Sequence, residues 1–435
     1  MAMLLASCAT NGQLMRAQQK FRQGDFNGAS ATIASAAAKH QATDKDAVIV
    51  KLEAGSMALT AGRSEVANAL LRSADEAIEA ANRRPLIQVG KEAGAMLSNL
   101  NALPYVPTPS DQIMGASYLA LSFAEEGKIT EARSAVKLAK NRQQDAFSKY
   151  RAEIDREREA LQKAREASKV PFSLDEGKLA GVTDTIESDL RNYTPYTSHT
   201  VPYAELIAGL LLGAGPEAET GRARESLGRA LAASPGNADL RSAANGAIKG
   251  RVHVLFEEGV GPSVEQMPVH LPLYINKNLV MFSAAYPKMV FHSHSAGANV
   301  KADGVVRVPQ PICDFDRIAA DEFRRRLPGI ISRTTAASAL KAALSYTAQE
   351  AIKSQNSDMA FLAGIAGAVY NIASAQADLR NWATLPKRVS YTQLAVPAGG
   401  SIEIGGENVN LPKGETVIVR VREVAGRRVI RTFAL

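Results

Sequence analysis

The stretch Arg251–Pro262, RVHVLFEEGVGP, divides the chain. Val252, Val254 and Phe256 alternate with Arg251, His253 and Leu255, a period of two that predicts a strand, and Glu257-Glu258-Gly259-Val260-Gly261-Pro262 then reads as a turn. Before it, apolar residues recur at spacings of three and four. After it, short alternating runs are punctuated by Gly and Pro. The expectation is an α+β chain of more than one domain: an α-helical solenoid over 12–250, a mixed α+β region over 251–435, and a small β-sandwich-like layer over 388–435.

Upstream, Leu14, Ala17 and Phe21 lie on one helical face, Gln23-Gly24-Asp25-Phe26 interrupts it, and Ala29, Ile33 and Ala36 resume it. The same helical hairpin returns around Ala61-Gly62-Arg63, around Glu126-Gly127-Lys128, and from Tyr203–Leu212 through Gly221 to Leu231. A period of roughly 34 to 40 residues, with small residues at the crossings and a closing Pro235-Gly236-Asn237, resembles tetratricopeptide repeats. Such arrays stack into a continuous core and leave a concave groove for peptides or other proteins. Thr130–Lys169 has no helix breaker and predicts one long helix, ended by Pro171. The segment from there to Pro202, with Tyr193-Thr194-Pro195-Tyr196, reads as an ordered loop.

Downstream, strands are expected at Val269–Tyr274, Val280–Tyr286, Met289–His294 and Val305–Val308. Helices are expected at Asp316–Arg326, capped by Asp314 or Asp316, and, after a Pro328-Gly329 break, at Ile331–Ser354. Met359–Ala375, MAFLAGIAGAVYNIASA, is the most apolar segment, but Asp358 and Asp378 flank it closely and Tyr370-Asn371 interrupts it, which argues against a membrane span. Ala360, Gly364 and Ala368 recur every four residues beside Gly367, and this small-residue face suits close helix packing, either against Ile331–Ser354 or against a partner. Arg388–Leu435 alternates again between tight turns.

The composition is that of a globular chain: 46% apolar residues, 6% aromatic residues and a net charge of +7. From Arg251 onward there are 21 Lys and Arg against 15 Asp and Glu, so nearly all of the surplus sits in this half. The basic residues form no dense run interleaved with aromatics, which excludes a nucleic-acid-binding signature. The two cysteines are Cys8 and Cys313. Leu5-Ala6-Ser7-Cys8 resembles a bacterial lipobox, the site at which a signal is cut and the thiol acylated; residues 1–11 are read as the remnant of that signal and a tether, with a basic, apolar head expected upstream.

No phosphate loop, Gly-x-Ser-x-Gly or His-Glu-x-x-His occurs, and Gly213–Glu217 lacks a phosphate-binding lysine. His292 and His294 share a face of a predicted strand and, with His253 or His270, are the one histidine set worth weighing for zinc, against a solvated histidine face. Asp314 and Asp316 read as helix caps rather than a catalytic carboxylate pair. Arg324-Arg325-Arg326 reads as a basic helix end, and Arg380 with Trp382 as a structural anchor. No catalytic, cofactor or metal residue is assigned.

Val254–Pro262, Asp314-Phe315-Asp316, Glu322-Phe323, Leu327-Pro328, Ala377–Pro386 and Val396-Pro397-Ala398-Gly399 together resemble a family of uncharacterised bacterial lipoproteins along nearly the whole chain. The family combines tetratricopeptide-like helices with this C-terminal region, and its genes tend to lie near those of lipoprotein activators of penicillin-binding proteins. The resemblance implies an outer-membrane lipoprotein anchored through Cys8 and facing the periplasm, with the cell surface as the other orientation. It implies no known activity. The expected function is a non-catalytic interaction scaffold whose partners are other envelope proteins or copies of itself. Two alternatives stand beside it: a self-assembling structural subunit and a peptidoglycan-associated module.

Overall fold

The computed structural model describes residues 2–83, 104–167, 172–174, 176–197, 200–275, 278–294, 297–353 and 376–435. The helical periodicity upstream of Arg251 folds into pairs: α1 (Ala2–Arg22) with α2 (Phe26–Lys39), α3 (Ala47–Thr60) with α4 (Ser64–Asn82), and α5 (Pro109–Glu125) with α6 (Ile129–Ala167). Gly24, Gly62 and Gly127 make their three turns at φ of 77°, 74° and 73°. That left-handed conformation is one glycine adopts without a Cβ clash, which is why a single Gly ends each first helix. After α7 (Glu176–Leu190), a fourth pair follows, α8 (Pro202–Gly213) with α9 (Thr220–Ala233), and then the short α10 (Ala238–Ala244). Its turn departs from expectation, because α8 ends at Gly213 and Gly221 lies inside α9.

Position within a pair decides burial. α3 and α8, largely apolar around their circumference, are buried along essentially their whole length, with Lys51, Glu53 and Glu205 buried among them. Their partner α4 buries only the stripe Ala67, Asn68, Leu71, Ala74, Ala77 and Ile78. The long helix is present, at Ile129–Ala167, and Tyr150 and Ile154 are buried. The segment read as a loop instead contains the strand β1 (Phe172–Leu174) and helix α7, whose Val182, Ile186 and Leu190 are buried.

Beyond residue 250 the chain builds three sheets. β2 (Arg251–Glu258) is the centre of a five-stranded sheet of order β12-β11-β2-β8-β7, formed with β7 (Gln310–Asp314), β8 (Arg388–Ala395), β11 (Thr416–Val424) and β12 (Arg427–Ala434). β2 runs parallel to β11 and antiparallel to β8. β5 (Val300–Ala302), β6 (Val305–Arg307), β9 (Ser401–Ile404) and β10 (Glu407–Asn410) form a four-stranded sheet, and β1, β3 (Ser263–Ile275) and β4 (Asn278–Val290) a three-stranded one. The predicted strand over Met289–His294 does not form separately: Met289 and Val290 end β4 and the rest is irregular. The Pro328-Gly329 break is also absent, because α11 (Phe315–Lys353) runs through Pro328.

The layers follow from which strand face each core claims. Val252, Val254 and Phe256 of β2 pack with Val417, Val419 and Val421 of β11 against Val300, Ile402, Ile404 and Val409 of the four-stranded sheet, a sandwich core. The opposite face, with Leu255, Tyr391, Ile418 and Phe433, joins the core of the helical pairs. Strands covered on both sides cannot show the one-sided alternation of a surface sheet, and β2 and β11 are buried almost throughout. Residue 250 is therefore a change of secondary structure inside one continuous core, and the strands of 388–435 are shared with β2, β5 and β7 rather than forming a layer of their own. The face that a solenoid leaves open as a groove is occupied by the protein's own sheet.

Candidate functional site: a buried ionic seam

Between the inner helices and the five-stranded sheet lies a plane of charged side chains. Register places Arg420 of β11 opposite Leu255 and Arg422 opposite Glu257, all facing the helices. The Arg420 guanidinium donates to Glu125 Oε1 of α5 from Nε at 2.9 Å and Nη2 at 2.8 Å, to the Leu59 carbonyl of α3 at 3.0 Å, and to Glu257 Oε2 at 3.2 Å. Glu257 Oε1 accepts from the Tyr203 hydroxyl of α8 at 2.7 Å. Arg422 donates to the Thr384 carbonyl at 3.2 Å and lies 5.2 Å over the Phe21 ring of α1. Four helices thus converge on Arg420, Arg422 and the Glu257 carboxylate between them.

Both arginines are 2% exposed at the side chain. Burial works against the charge on each. For Arg420 the carboxylates of Glu125 and Glu257 outweigh burial and hold the guanidinium charged, its pKa above the ordinary range. Arg422 shares Glu257, and burial leaves its pKa below the usual value. Tyr203 and Tyr118 are pushed well up by burial and then by Glu257, so both stay protonated donors.

Two more clusters extend the seam. Glu53 of α3 accepts from the Ala383 N–H at 2.8 Å, from Gln18 Nε2 at 2.6 Å and from the Thr384 hydroxyl. Trp382 Nε1 donates to Ser56 at 3.2 Å and to Thr384 at 3.1 Å, and its ring meets Tyr118 edge-on at 5.8 Å. Farther along, Glu322 of α11 accepts from the backbone N–H and the hydroxyl of Ser110, both at 2.7 Å, at the N-terminus of α5. Burial raises the pKa of Glu53 to about 7 and that of Glu322 to about 8, the latter reinforced by Asp111. Asp316, paired with Lys387, is raised to about 6, also chiefly by burial.

The residues singled out from the sequence are distributed around this seam. Arg380 bonds Asp46 at 2.7 Å and Asp378 at 2.6 Å and lies 5.8 Å from the Tyr105 ring, so with the buried Trp382 it anchors the 378–385 segment on the helices. Asp314 caps α11 by accepting from the Asp316 N–H at 2.9 Å. Arg324 does not sit at a helix end; inside α11 it donates to the Leu190 carbonyl at the end of α7, 2.6 Å away. The histidines do not converge. His253 is enclosed between Tyr391 and the Ile248 carbonyl, its pKa lowered by burial to about 4, His292 bonds Ser263, and His270 bonds Ser283. Among the described residues no group of three or more His, Cys, Asp or Glu is placed to hold a metal ion. Cys313 is a buried free thiol raised by burial. Cys8 lies within α1, which is helical from Ala2. Ala360, Gly364, Gly367 and Ala368, with all of Met359–Ala375, lie outside the described residues.

Sequence reasoning missed the seam itself. Its signal was present in Thr416–Val424, TVIVRVREV, where Arg420 and Arg422 stand two apart among valines, and in Ala47–Thr60, where Lys51 and Glu53 interrupt an otherwise uncharged helix. Chemically, the seam holds side chains already engaged with one another, an arrangement that fixes the helices on the sheet. No family model, curated protein or solved structure matches the chain.

Proposed function

We propose that the protein is a non-catalytic cell-envelope lipoprotein, held in the outer membrane through an acylated Cys8 and facing the periplasm, whose tetratricopeptide-like helical pairs scaffold other envelope proteins or copies of itself. The observation that carries the reading is the stack of helical pairs turned on Gly24, Gly62 and Gly127. Because the sheet fills the inner face of that stack, the surface offered to partners is the outer one: the exposed sides of α4 and α9, and the polar face of α6. This supports recognition of folded partners by a convex surface rather than of peptides by a groove. The hydrogen bonds already made by Glu53, Glu257, Glu322 and Arg420 are those of a structural core, which favours a scaffold over a catalyst.

Proximity labelling from the protein in its own cell should enrich a small set of envelope proteins, and intact mass of the detergent-extracted protein should show a lipid on Cys8. An unmodified Cys8 would remove the lipoprotein reading and the outer-membrane assignment with it. The basic surplus beyond Arg251 supports peptidoglycan as a further partner, tested by pull-down on isolated sacculi. Light scattering of the purified chain tests self-assembly.

A further inference from the structure

The β3–β4 hairpin carries an apolar patch that no feature of the scaffold uses. Each strand is 13 residues long, and the register pairs Tyr274 with Leu279 and Pro272 with Met281 on one face at its distal end. Tyr274 is 45% exposed, Leu279 59% and Met281 57%, three large apolar side chains exposed together at one place. The opposite face, with Leu271, Leu273, Ile275, Val280 and Phe282, is covered by α7 and α11, and α11 follows the hairpin to its end, where Asn278 donates to the Tyr346 hydroxyl at 2.9 Å. The patch is thus backed by two helices and faces outward.

Charge decides what it faces. Between Glu265 and Lys288 the sequence has no acidic residue, no arginine and one lysine, in a chain that is 22% charged overall. A protein interface keeps a polar, charged rim around its apolar centre. A strand pair with no acidic residue and no arginine over its distal length, its single lysine, Lys277, falling between the two strands, and with a tyrosine and two long aliphatic side chains exposed at the end, instead has the make-up of an element that meets lipid. We propose that the distal end of the β3–β4 hairpin docks on a lipid bilayer, seating Tyr274, Leu279 and Met281 in the headgroup and upper acyl region. The outer edge of β4 has no partner strand among the described residues. Its free N–H and C=O groups need water, so the hairpin lies at the interface and does not cross the hydrocarbon core. The contact is independent of Cys8 acylation and would give an anchored protein a second, orienting point of attachment.

The test uses the full-length chain with Cys8→Ser, purified without detergent, in flotation with vesicles of phosphatidylethanolamine and a minority of phosphatidylglycerol. The protein should float with the vesicles, and Leu279→Asp/Met281→Asp should weaken its partitioning at least about tenfold, because two exposed apolar side chains lose their transfer into lipid. Both positions are exposed, so the variant should melt as the parent does. Three results overturn the proposal: no flotation of the parent, flotation unchanged in the variant, or a dimer in sedimentation velocity that the variant abolishes without vesicles playing any part. In the third case the occupant of the patch is a second copy of the chain. Loss of acylation at Cys8 in the cell would defeat the lipoprotein reading and leave this result untouched.

Discussion

At the scale of single residues, the seam makes an asymmetric prediction. Removing Arg420 takes from Glu125 its guanidinium partner and leaves Glu257 with Arg422 alone, 4.0 Å away, in a buried interface. Arg420→Ala should therefore destabilise by about 3–5 kcal/mol, read as a loss in denaturant midpoint. A Glu125→Gln/Arg420→Met double variant, which removes one charge of each sign and leaves Glu257 with Arg422, should recover much of that loss. The protonation of the buried acids sets a second expectation. Glu53 and Glu322 hold their protons up to about pH 7 and 8 in the folded chain, whereas the unfolded chain releases them near the ordinary carboxylate value, so their stabilising contribution is complete at low pH and is lost as pH rises through those values. His253 acts the other way: with its folded pKa lowered to about 4, it costs stability only as pH falls below the ordinary histidine value. Above that value the acids act alone, so the melting temperature should fall between pH 6.5 and 8. Glu322→Gln should flatten the slope, and an unchanged slope would count against a protonated Glu322. Of these acids only Glu53 left a signal in the sequence, as a charge within the apolar run Ala47–Thr60. Glu257 and Glu258 read as a turn because a charged pair before Gly-x-Gly normally meets solvent, and their partners, Arg420 and Arg388, lie more than a hundred residues downstream.

Elements were legible where local chemistry alone decides them. The turn glycines marked three helical hairpins because no distant contact is needed to require a left-handed residue. Those glycines also differ in a way that can be measured. A Cβ at Gly127 meets nothing within 4 Å, whereas at Gly24 it would stand 2.5 Å from Arg427 Cγ and 3.2 Å from the Val424 carbonyl. Gly127→Ala should therefore cost only the backbone strain, about 1–2 kcal/mol, and Gly24→Ala distinctly more, compared by chemical denaturation. The missed elements were those that tertiary packing imposes. α7 has weak periodicity of its own and is held by the sheet it covers, and α11 continues through Pro328 because Leu327, Ile330 and Ile331 are buried on both sides of the proline. Proline removes one backbone donor, and the surrounding packing outweighs that loss.

For the whole molecule, the change of character at Arg251 suggested a boundary, and the mixed α+β character, helices before it and strands after it, was readable from it. What could not be read was that the two parts share one core, because the pairing of β2 with β11 joins segments 165 residues apart in register. Calorimetry should accordingly show a single cooperative transition for the described body. Two resolved transitions would mean that the helical pairs and the sheet are separate folding units after all.

The position of β2 at the centre of its sheet also governs how the chain must come together in time. Its neighbours are supplied by residues 388–395 and 416–424, so a polypeptide emerging from its N-terminus presents finished helical pairs long before the strands that cover their inner face exist. During that interval the Leu59 carbonyl, Glu125 and Tyr203 stand without their partners on the inner face of the helical pairs. A chain arranged in this way is open to aggregation while it is being synthesised, and one cut short before Thr416 would be expected to aggregate rather than persist as a smaller folded protein.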